Sequence, residues 1–160
     1  MIRTVNKHDA KAIAQIYNDY IVNTTISFET EELTVEQMRL RIESIACHCP
    51  FLVWEEDGEI AGYCYAHPWK ERAAYHNTLE TTIYLAPKYF RKGIGTKLMS
   101  RLIDDCRRMG YKVLIACITA NNDISIELHR RLGFKKVSYF EQVGEKFGQM
   151  LDVIDMQLTL

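Results

Sequence analysis

Apolar positions in the first third of the chain recur at the spacing of helices. Residues 12–21 and 35–45 each carry apolar side chains three and four apart, which predicts two amphipathic helices. Asp9 is predicted to cap the first helix, and Thr34 is predicted to cap the second. A short strand is expected at residues 2–5.

The middle of the chain changes to the shorter runs typical of strands. Residues 51–54 and 60–66 are apolar and are joined across Glu56-Asp57-Gly58, which is a hairpin signal. Residues 78–85 alternate between polar and apolar side chains and end before Pro87. Three successive strands are therefore expected here.

The second half alternates between helix and strand before two final strands. The predicted segments are a helix around 98–106 stopped by Gly110, a buried strand at 113–118, a helix from 121 to Gly133, and two strands in 134–160 that turn near 146–148. The order βααβββαβαββ predicts a single α/β domain over residues 1–160. We expect a mixed central sheet with helices on both faces.

Composition narrows the class of protein. The 160 residues carry a formal net charge of -1, and basic residues are interleaved with acidic ones, so no nucleic-acid partner is expected. The N-terminus lacks the apolar core of a signal peptide, and the longest apolar run, at 113–118, is too short to cross a bilayer. A cytoplasmic protein with no membrane partner is the expectation.

The cysteines favour neither disulfides nor a metal. Their number, five, is odd, which argues against a disulfide framework in a cytoplasmic chain. Cys47-His48-Cys49 is too tightly spaced for a zinc site, and no second ligand pair follows it. No metal is therefore expected.

A glycine-rich turn precedes the third predicted helix and has the composition of a phosphate site. In Arg91-Lys92-Gly93-Ile94-Gly95-Thr96, the glycines allow backbone N–H groups to approach a phosphate, and the helix N-terminus adds positive potential. The turn lacks the Lys-Ser/Thr of a P-loop and the third glycine of a dinucleotide fingerprint. A plain tight turn or a nucleotide-binding module remain alternatives at this point.

A second motif makes the pattern specific. Residues 122–134 read NDISIELHRRLGF, and together with the turn they resemble the R/Q-x-x-G-x-G/A and N-x-x-A-x-x-L-Y-x-x-x-G-F motifs of GNAT N-acetyltransferases. Three positions depart from that pattern: Phe90 stands where Gln or Arg opens the turn, Ser125 replaces Ala, and His129 replaces Tyr.

Two further segments indicate a branch of that superfamily. Residues 68–80, PWKERAAYHNTLE, are similar to the P-W-K-x-R-x-A-Y-x-x-T-x-E segment of phosphinothricin acetyltransferases, which also carry histidine at the position of His129. Residues 25–28 resemble the early substrate loop of that family. The resemblance extends over essentially the whole chain.

The resemblance implies acetyl-CoA as cosubstrate, no metal and a homodimer. It places the cofactor pyrophosphate on the backbone of residues 91–96. The strand backbone around Tyr84 and Leu85 would supply the N–H that polarises the acetyl carbonyl, at a bulge that splays two strands. The cofactor set that it implies is Ile83, Tyr84, Leu85, Arg91, Lys92, Gly93, Ile94, Gly95, Thr96, Asn122 and Ser125.

Two residues are candidates for proton transfer. Glu80 would be the general base, acting through water, and strand alternation places it on one face with Thr82 and Tyr84. His129 would be the general acid or a proton relay near the sulfur, with Ser125 one turn earlier on the same helix face. The alternatives are a solvated or paired carboxylate and a structural histidine.

For the acceptor, Arg72 would bind a carboxylate through its guanidinium fork, and Phe28 and Tyr75 would wall the site. The alternatives are a surface arginine and ordinary core aromatics. The function predicted is transfer of the acetyl group to the amine of a small substrate like phosphinothricin or methionine sulfoximine or sulfone. Other acceptors (a protein N-terminus, a polyamine or an antibiotic amine) and a catalytically silent CoA-binding domain remain alternatives.

Overall fold

The helices and strands follow the predicted order βααβββαβαββ in the computed structural model, which describes residues 1–160. The strands are β1 (Ile2–Thr4), β2 (Phe51–Glu56), β3 (Glu59–Pro68), β4 (Thr78–Leu85), β5 (Val113–Thr119), β6 (Lys135–Lys146) and β7 (Gln149–Thr159). The helices are α1 (Ala10–Asn23), α2 (Val35–Ala46), α3 (Ile94–Arg108) and α4 (Asp123–Arg131).

All seven strands form one sheet in the order β1-β2-β3-β4-β5-β7-β6. Every neighbouring pair is antiparallel except β4 and β5, which are parallel. The connection between those two strands contains α3, as a parallel pair requires. The prediction of a mixed sheet is therefore confirmed.

The sheet opens between β4 and β5. These strands pair only from Thr78 to Glu80 on β4 and from Val113 to Ile115 on β5, although both continue beyond those residues. The resemblance implied a bulge at this place, yet the register between β3 and β4 is continuous. The opening therefore arises because β4–β5 pairing ends, not because β4 is bulged against β3.

Each face of the sheet has its own core, as predicted. One contains α1 and α2, and its buried side chains include Ile13, Tyr17, Met38 and Phe51. The other contains α3, with side chains of α4 packed against its edge, and its central members are Leu79, Leu98, Met99, Leu102, Cys106 and Leu114. None of the helices is long and apolar enough to cross a membrane.

The predicted caps have different outcomes. Thr34 caps α2 and forms a reciprocal capping box with Gln37, as expected. Asp9 is the N-cap residue of α1, as predicted, but its carboxylate makes no capping hydrogen bond to that helix. It instead accepts two hydrogen bonds of 2.8 Å from Arg3 and one from the Asn6 backbone N–H, which ties β1 to the turn before the helix.

Candidate active site

The start of α3 presents unpaired backbone N–H groups. Gly93 is its N-cap residue, with a φ of +75°, and no side chain caps the helix. The Lys97 N–H donates to the Gly93 carbonyl at 3.2 Å. Because that is the first bond of the helix, the N–H groups of Ile94, Gly95 and Thr96 have no partner within it. This geometry suits an anion.

Gly95 lies where three elements meet. A methyl group on its Cα would lie 3.5 Å from Leu85, 3.6 Å from Leu128 and 3.7 Å from Ile83. The N-terminus of α3 is therefore packed against the end of β4 and against α4. This junction lies beside the opening between β4 and β5.

The backbone of β4 also presents free groups toward that opening. Within the β3–β4 ladder, Trp69 N–H donates to the Thr78 carbonyl and Ala86 N–H donates to the Ala61 carbonyl. Since bonded pairs alternate along antiparallel strands, Ile83 and Leu85 direct their N–H groups away from β3 and toward the opening. The Tyr84 N–H points to β3, which corrects its predicted role as a backbone donor to the cofactor.

A cavity of about 440 Å³ occupies the opposite face of the opening, beneath α1. Glu80, Thr82 and Tyr84 all line it, as the strand alternation predicted. The remaining lining residues come from α1, the loop after it, and strands β3, β5 and β7: Tyr17, Ile26, Ser27, Phe28, Glu29, Tyr65, His67, Cys117, Ile118, Thr119 and Val153.

Glu80 is half-buried in this cavity, with 29% of its side chain exposed. Burial raises the pKa of its carboxyl group, the nearby charge of His67 opposes the rise, and that of Asp155 adds to it. The His67 Nε2 lies 4.0 Å from the Glu80 Oε1. A carboxylate with a raised pKa is a better proton acceptor near neutral pH than an exposed one.

The loop after α1 forms one wall of the cavity and is fixed by contacts from distant strands. Thr119 Oγ1 donates to the Thr25 carbonyl at 2.9 Å, and the buried Lys146 ammonium donates to the Ser27 carbonyl at 2.6 Å. The Phe28 ring lies against Gly144, where a side chain would collide with it at 2.2 Å. The wall is thus held in place by β5 and β6.

The three predicted acceptor residues are not brought together. Phe28 lines the cavity, whereas Arg72 and Tyr75 do not. Arg72 is exposed in the connection between β3 and β4, and the Tyr75 ring packs edge-on against Trp69, with 5.3 Å between ring centroids. That connection joins the strand ends carrying His67 and Glu80, so it lies at the same end of the sheet.

The charged groups that line the cavity include two carboxylates. Glu29 accepts hydrogen bonds of 2.7 and 3.0 Å from Arg41, so its charge is matched by a guanidinium. That pairing, opposed by burial, holds the pKa of Glu29 below its usual range. Glu80 has no such partner and is the carboxylate left free to exchange a proton.

His129 is buried in the last turn of α4. Its Nδ1 donates to the Ser125 carbonyl at 2.8 Å, and its buried Nε2 has no hydrogen-bond partner in the protein. Burial lowers its pKa, and the bond to Ser125 only partly opposes that shift. The imidazole is therefore neutral at pH 7, which disfavours the predicted role as a general acid.

The other predicted cofactor residues are placed around the start of the two helices. Asn122 Oδ1 accepts from the Ser125 N–H at 3.2 Å, so these two residues cap α4. Arg91 and Lys92 are exposed beside the free end of α3. Phe90, the departure in the turn, is 44% exposed.

Sequence reasoning missed several residues around Glu80. His67 on β3 lies directly opposite Glu80 on β4. Cys117 on β5 and Asp155 on β7 lie opposite each other. No motif contains them. Only the strand register brings His67 to Glu80. Cys117 is exposed within a strand predicted to be buried, because β4 no longer covers that edge of β5.

Comparisons with known proteins agree with this geometry. Residues 2–156 match the family model described as Acetyltransferase (GNAT) domain. The chain is 37% identical to the L-amino acid N-acyltransferase MnaT of Escherichia coli, over 99% of this chain and 93% of that protein. It is 38% identical to an L-methionine sulfoximine/L-methionine sulfone acetyltransferase of Salmonella typhimurium, over 99% and 94%.

A solved structure extends the comparison to a bound cofactor. The phosphinothricin acetyltransferase of Sinorhizobium meliloti in complex with acetyl-CoA superposes with a TM-score of 0.97, at 34% identity, covering 100% of this chain and 88% of that one. The motifs, the opening in the sheet and these relatives lead to one conclusion. The chain belongs to the GNAT family of acetyltransferases.

Proposed function

We propose that this protein transfers the acetyl group of acetyl-CoA to the amine of a small amino-acid-like acceptor. One observation carries the proposal: a half-buried carboxylate lies on one side of the β4–β5 opening, and an uncapped helix N-terminus lies on the other. The names of the relatives, which refer to L-amino acids, methionine sulfoximine and phosphinothricin, support an acceptor of this type.

The cofactor side would act through the backbone. The N–H groups of Ile94, Gly95 and Thr96 suit the pyrophosphate of acetyl-CoA, and the exposed Arg91 and Lys92 add charge. The N–H groups of Ile83 and Leu85 face the opening and suit an acyl carbonyl or an amide of the pantetheine arm. Donors aimed at a carbonyl oxygen stabilise the charge that develops there during acyl transfer.

The acceptor side would act through Glu80. An amine arrives mostly protonated at neutral pH and must lose a proton before or during attack. Glu80 accepts it, directly or through a water molecule, and its raised pKa makes that transfer efficient. The new N–C bond forms as the C–S bond breaks, and the thiolate leaves without needing a strong acid because thiols are fairly acidic.

The acceptor carboxylate would bind at the rim of the cavity. Arg72 is exposed at the end of the sheet that carries Glu80, and its guanidinium fork suits a carboxylate. One observation favours a second candidate, since Glu29 and Glu80 both line the cavity and carboxylates suit a polyamine. The Arg41 partner of Glu29 weakens that case, because it offsets one of the two charges.

We further propose a cytoplasmic homodimer. The β6–β7 hairpin contains the edge strand of the sheet and exposes six large apolar side chains: Val137, Tyr139, Phe140, Val143, Phe147 and Met150. An apolar surface on an unpaired edge supports contact with a second copy. All five cysteines are free thiols, which supports a reducing compartment. Light scattering of the purified chain tests the dimer.

The test of the activity is release of free thiol from acetyl-CoA with a panel of amines. L-Methionine sulfoximine, phosphinothricin and ordinary amino acids should support release, with spermidine and an aminoglycoside much poorer. Preference for spermidine would favour the polyamine candidate. Stabilisation by CoA and not by ATP in a thermal shift assay separates an acetyltransferase from a nucleotide-binding module, and no release with any amine would indicate a silent CoA-binding domain.

A further inference from the structure

His67 is placed to act on Glu80. It lies at the end of β3, directly across the ladder from Glu80, and both side chains line the acceptor cavity. The His67 Nδ1 donates to the Pro68 carbonyl at 3.0 Å, so in the neutral ring the Nε2 carries the lone pair. That Nε2 is the atom 4.0 Å from the Glu80 Oε1.

The surroundings of Glu80 include several titratable groups but no second imidazole. Besides His67, the titratable groups near Glu80 or lining the same cavity are Asp155 on β7, Cys117 on β5, Tyr65 on β3, Tyr84 on β4, Tyr17 on α1 and Glu29 in the loop after α1. The negative charge of Asp155 raises the pKa of Glu80, the Glu29 carboxylate is paired with Arg41, and loss of hydration inside the cavity raises the pKa values of the Cys117 thiol and the Tyr65 hydroxyl. The His67 imidazole, whose Nε2 lies 4.0 Å from the Glu80 Oε1 and which is one-third exposed, is the acceptor best placed to pass a proton from that carboxyl to solvent.

We propose that His67 is a positioning residue that acts through Glu80 by relaying to solvent the proton that Glu80 removes from the acceptor amine. This rests on the proposed function. The amine N–H bond breaks and its proton moves to the Glu80 carboxylate. The proton then passes to the His67 Nε2 and is released from that nitrogen to water, so the ring returns to the tautomer in which Nδ1 donates to the Pro68 carbonyl. Glu80 is again a carboxylate before the next acceptor binds.

The exposure of His67 fits a proton transfer from Glu80 through His67 to solvent. One third of the His67 side chain, 33%, is exposed, and imidazole exchanges protons with water readily near neutral pH. The 4.0 Å separation exceeds a hydrogen bond, so the transfer needs a small rotation of either side chain or one water molecule between them. A purely structural pairing would need neither the lone pair nor the contact with solvent.

The first test is kinetic and uses chemical rescue. In His67→Ala, we expect kcat at pH 7 to fall about tenfold, less than for loss of the base itself. Added imidazole should restore most of that rate in a saturable way, because the free base can enter the space left by the ring. His76→Ala is the matched control, since the His76 Nδ1 makes a similar 2.9 Å bond to a nearby carbonyl but the ring does not line the cavity.

The second test reads the coupling without any turnover. The carboxyl carbon of Glu80 is titrated by NMR in the wild-type protein and in His67→Gln, with Glu80→Gln for assignment. Protonated His67 favours the charged carboxylate, so its removal should move the Glu80 midpoint upward by about one unit. The acid limb of the pH profile of kcat/KM should move upward in parallel.

The relay requires both results. A loss of rate without imidazole rescue, or an unchanged Glu80 midpoint in His67→Gln, overturns it. These failures differ from failure of the proposed function, which would appear as a wild-type protein that releases no thiol with any amine. The NMR titration can still be measured in that case, because it does not depend on activity.

Discussion

The two sides of β4 differ in the chemical groups that they present: backbone N–H groups on one side and side chains on the other. On the α3 side, the groups offered to a ligand are backbone N–H groups of Ile83, Leu85 and the first turn of α3. On the α1 side, they are side chains that change charge or donate hydrogen bonds, above all Glu80 and His67. In the proposed function, one strand would therefore serve a fixed electrostatic site on one side and a proton-exchanging site on the other.

The difference teaches where each kind of substitution should act. A backbone site tolerates changes of neighbouring side chains but fails when the backbone is displaced or a new side chain fills the space. A side-chain site fails when one functional group is removed, although the backbone is unchanged. Each of the following substitutions tests that division.

The largest effect is expected for Glu80→Gln. The amide keeps the size of the side chain but cannot accept the amine proton, so kcat at pH 7 should fall about 100- to 10,000-fold. The raised pKa of Glu80 also predicts that the wild-type rate falls as pH decreases through that pKa, because the carboxylate becomes protonated. The rate of the variant and the acid fall of the wild-type rate are both measured as kcat/KM from pH 5 to 10.

The difference in kcat/KM between the wild-type protein and Glu80→Gln should become smaller as pH rises, because free amine becomes abundant. The affinity for CoA should stay close to that of the wild-type protein, since the cofactor side is made of backbone. Wild-type turnover of this variant at neutral pH would mean that solvent takes the proton and that Glu80 only orients the substrate.

The second effect is expected on the cofactor side, from Gly95. A methyl group there makes ordinary contacts at 3.5 to 3.7 Å, so Gly95→Ala should bind CoA nearly normally. The two γ carbons of Gly95→Val must displace Leu85 or Leu128 and shift the first turn of α3. We expect the KM for acetyl-CoA to rise at least about tenfold, the equivalent of roughly 1.4 kcal/mol.

The comparison of the two Gly95 variants is made by calorimetric titration with CoA, after circular dichroism has shown that each is folded. Equal affinity in Gly95→Ala and Gly95→Val would argue against a cofactor site at the start of α3. Weaker CoA binding with an unchanged acceptor KM would support the division between the two sides.

The geometry of the turn before α3 was largely predictable from the sequence because it is local. Gly93 adopts a φ of +75°, a conformation that favours glycine, and Gly95 fits a crowded junction. Both requirements select glycine at a fixed spacing within one turn, and this pattern is visible in the sequence. The order of elements was also predictable, since each helix and strand carries its own apolar period.

The acceptor side was predictable only in part. Strand alternation placed Glu80 with Thr82 and Tyr84, but the position of His67 depends on the register of two strands, and Glu29 depends on a loop fixed by Lys146 from β6. The buried state of His129 depends on packing against Phe134, so its protonation state could not be predicted from the sequence. Long-range packing leaves no local pattern.

A third, smaller effect is expected for Arg72→Ala. If the guanidinium binds the acceptor carboxylate from the rim, the acceptor KM should rise about tenfold, since an exposed charge-assisted pair contributes only modestly. The KM for acetyl-CoA should not change. Lys70→Ala is the matched control, because Lys70 is a cation in the same connection whose ammonium instead lies over the Trp69 ring, 4.2 Å from its centroid.

The decisive measurement for Arg72 is steady-state kinetics with paired acceptors, an amino acid and its amide. Loss of the carboxylate from the substrate should cost the wild-type protein as much as Arg72→Ala does, and the two losses should not add. Independent, additive losses would place the carboxylate elsewhere in the cavity.

The smallest effect is expected for His129→Phe. The wild-type imidazole is neutral at pH 7 because burial lowers its pKa, and its one proton is committed to the Ser125 carbonyl. A neutral imidazole with its proton held in this way is a poor proton donor to the thiolate, so we expect kcat to fall less than about tenfold, below the range for a general acid. The phenyl ring introduced by this substitution would keep the edge-on contact that the imidazole makes with Phe134.

Stability gives a second measurement of the state of His129. A histidine whose pKa is lowered on folding disfavours the folded state once pH falls below the unfolded value of about 6.5. The free energy of unfolding of the wild-type protein should therefore decline relative to that of His129→Phe on acidification below that pH, which urea titrations at pH 5, 6 and 7 measure. A loss of 100-fold or more in kcat, together with the disappearance of one limb of the pH profile, would instead identify His129 as the general acid.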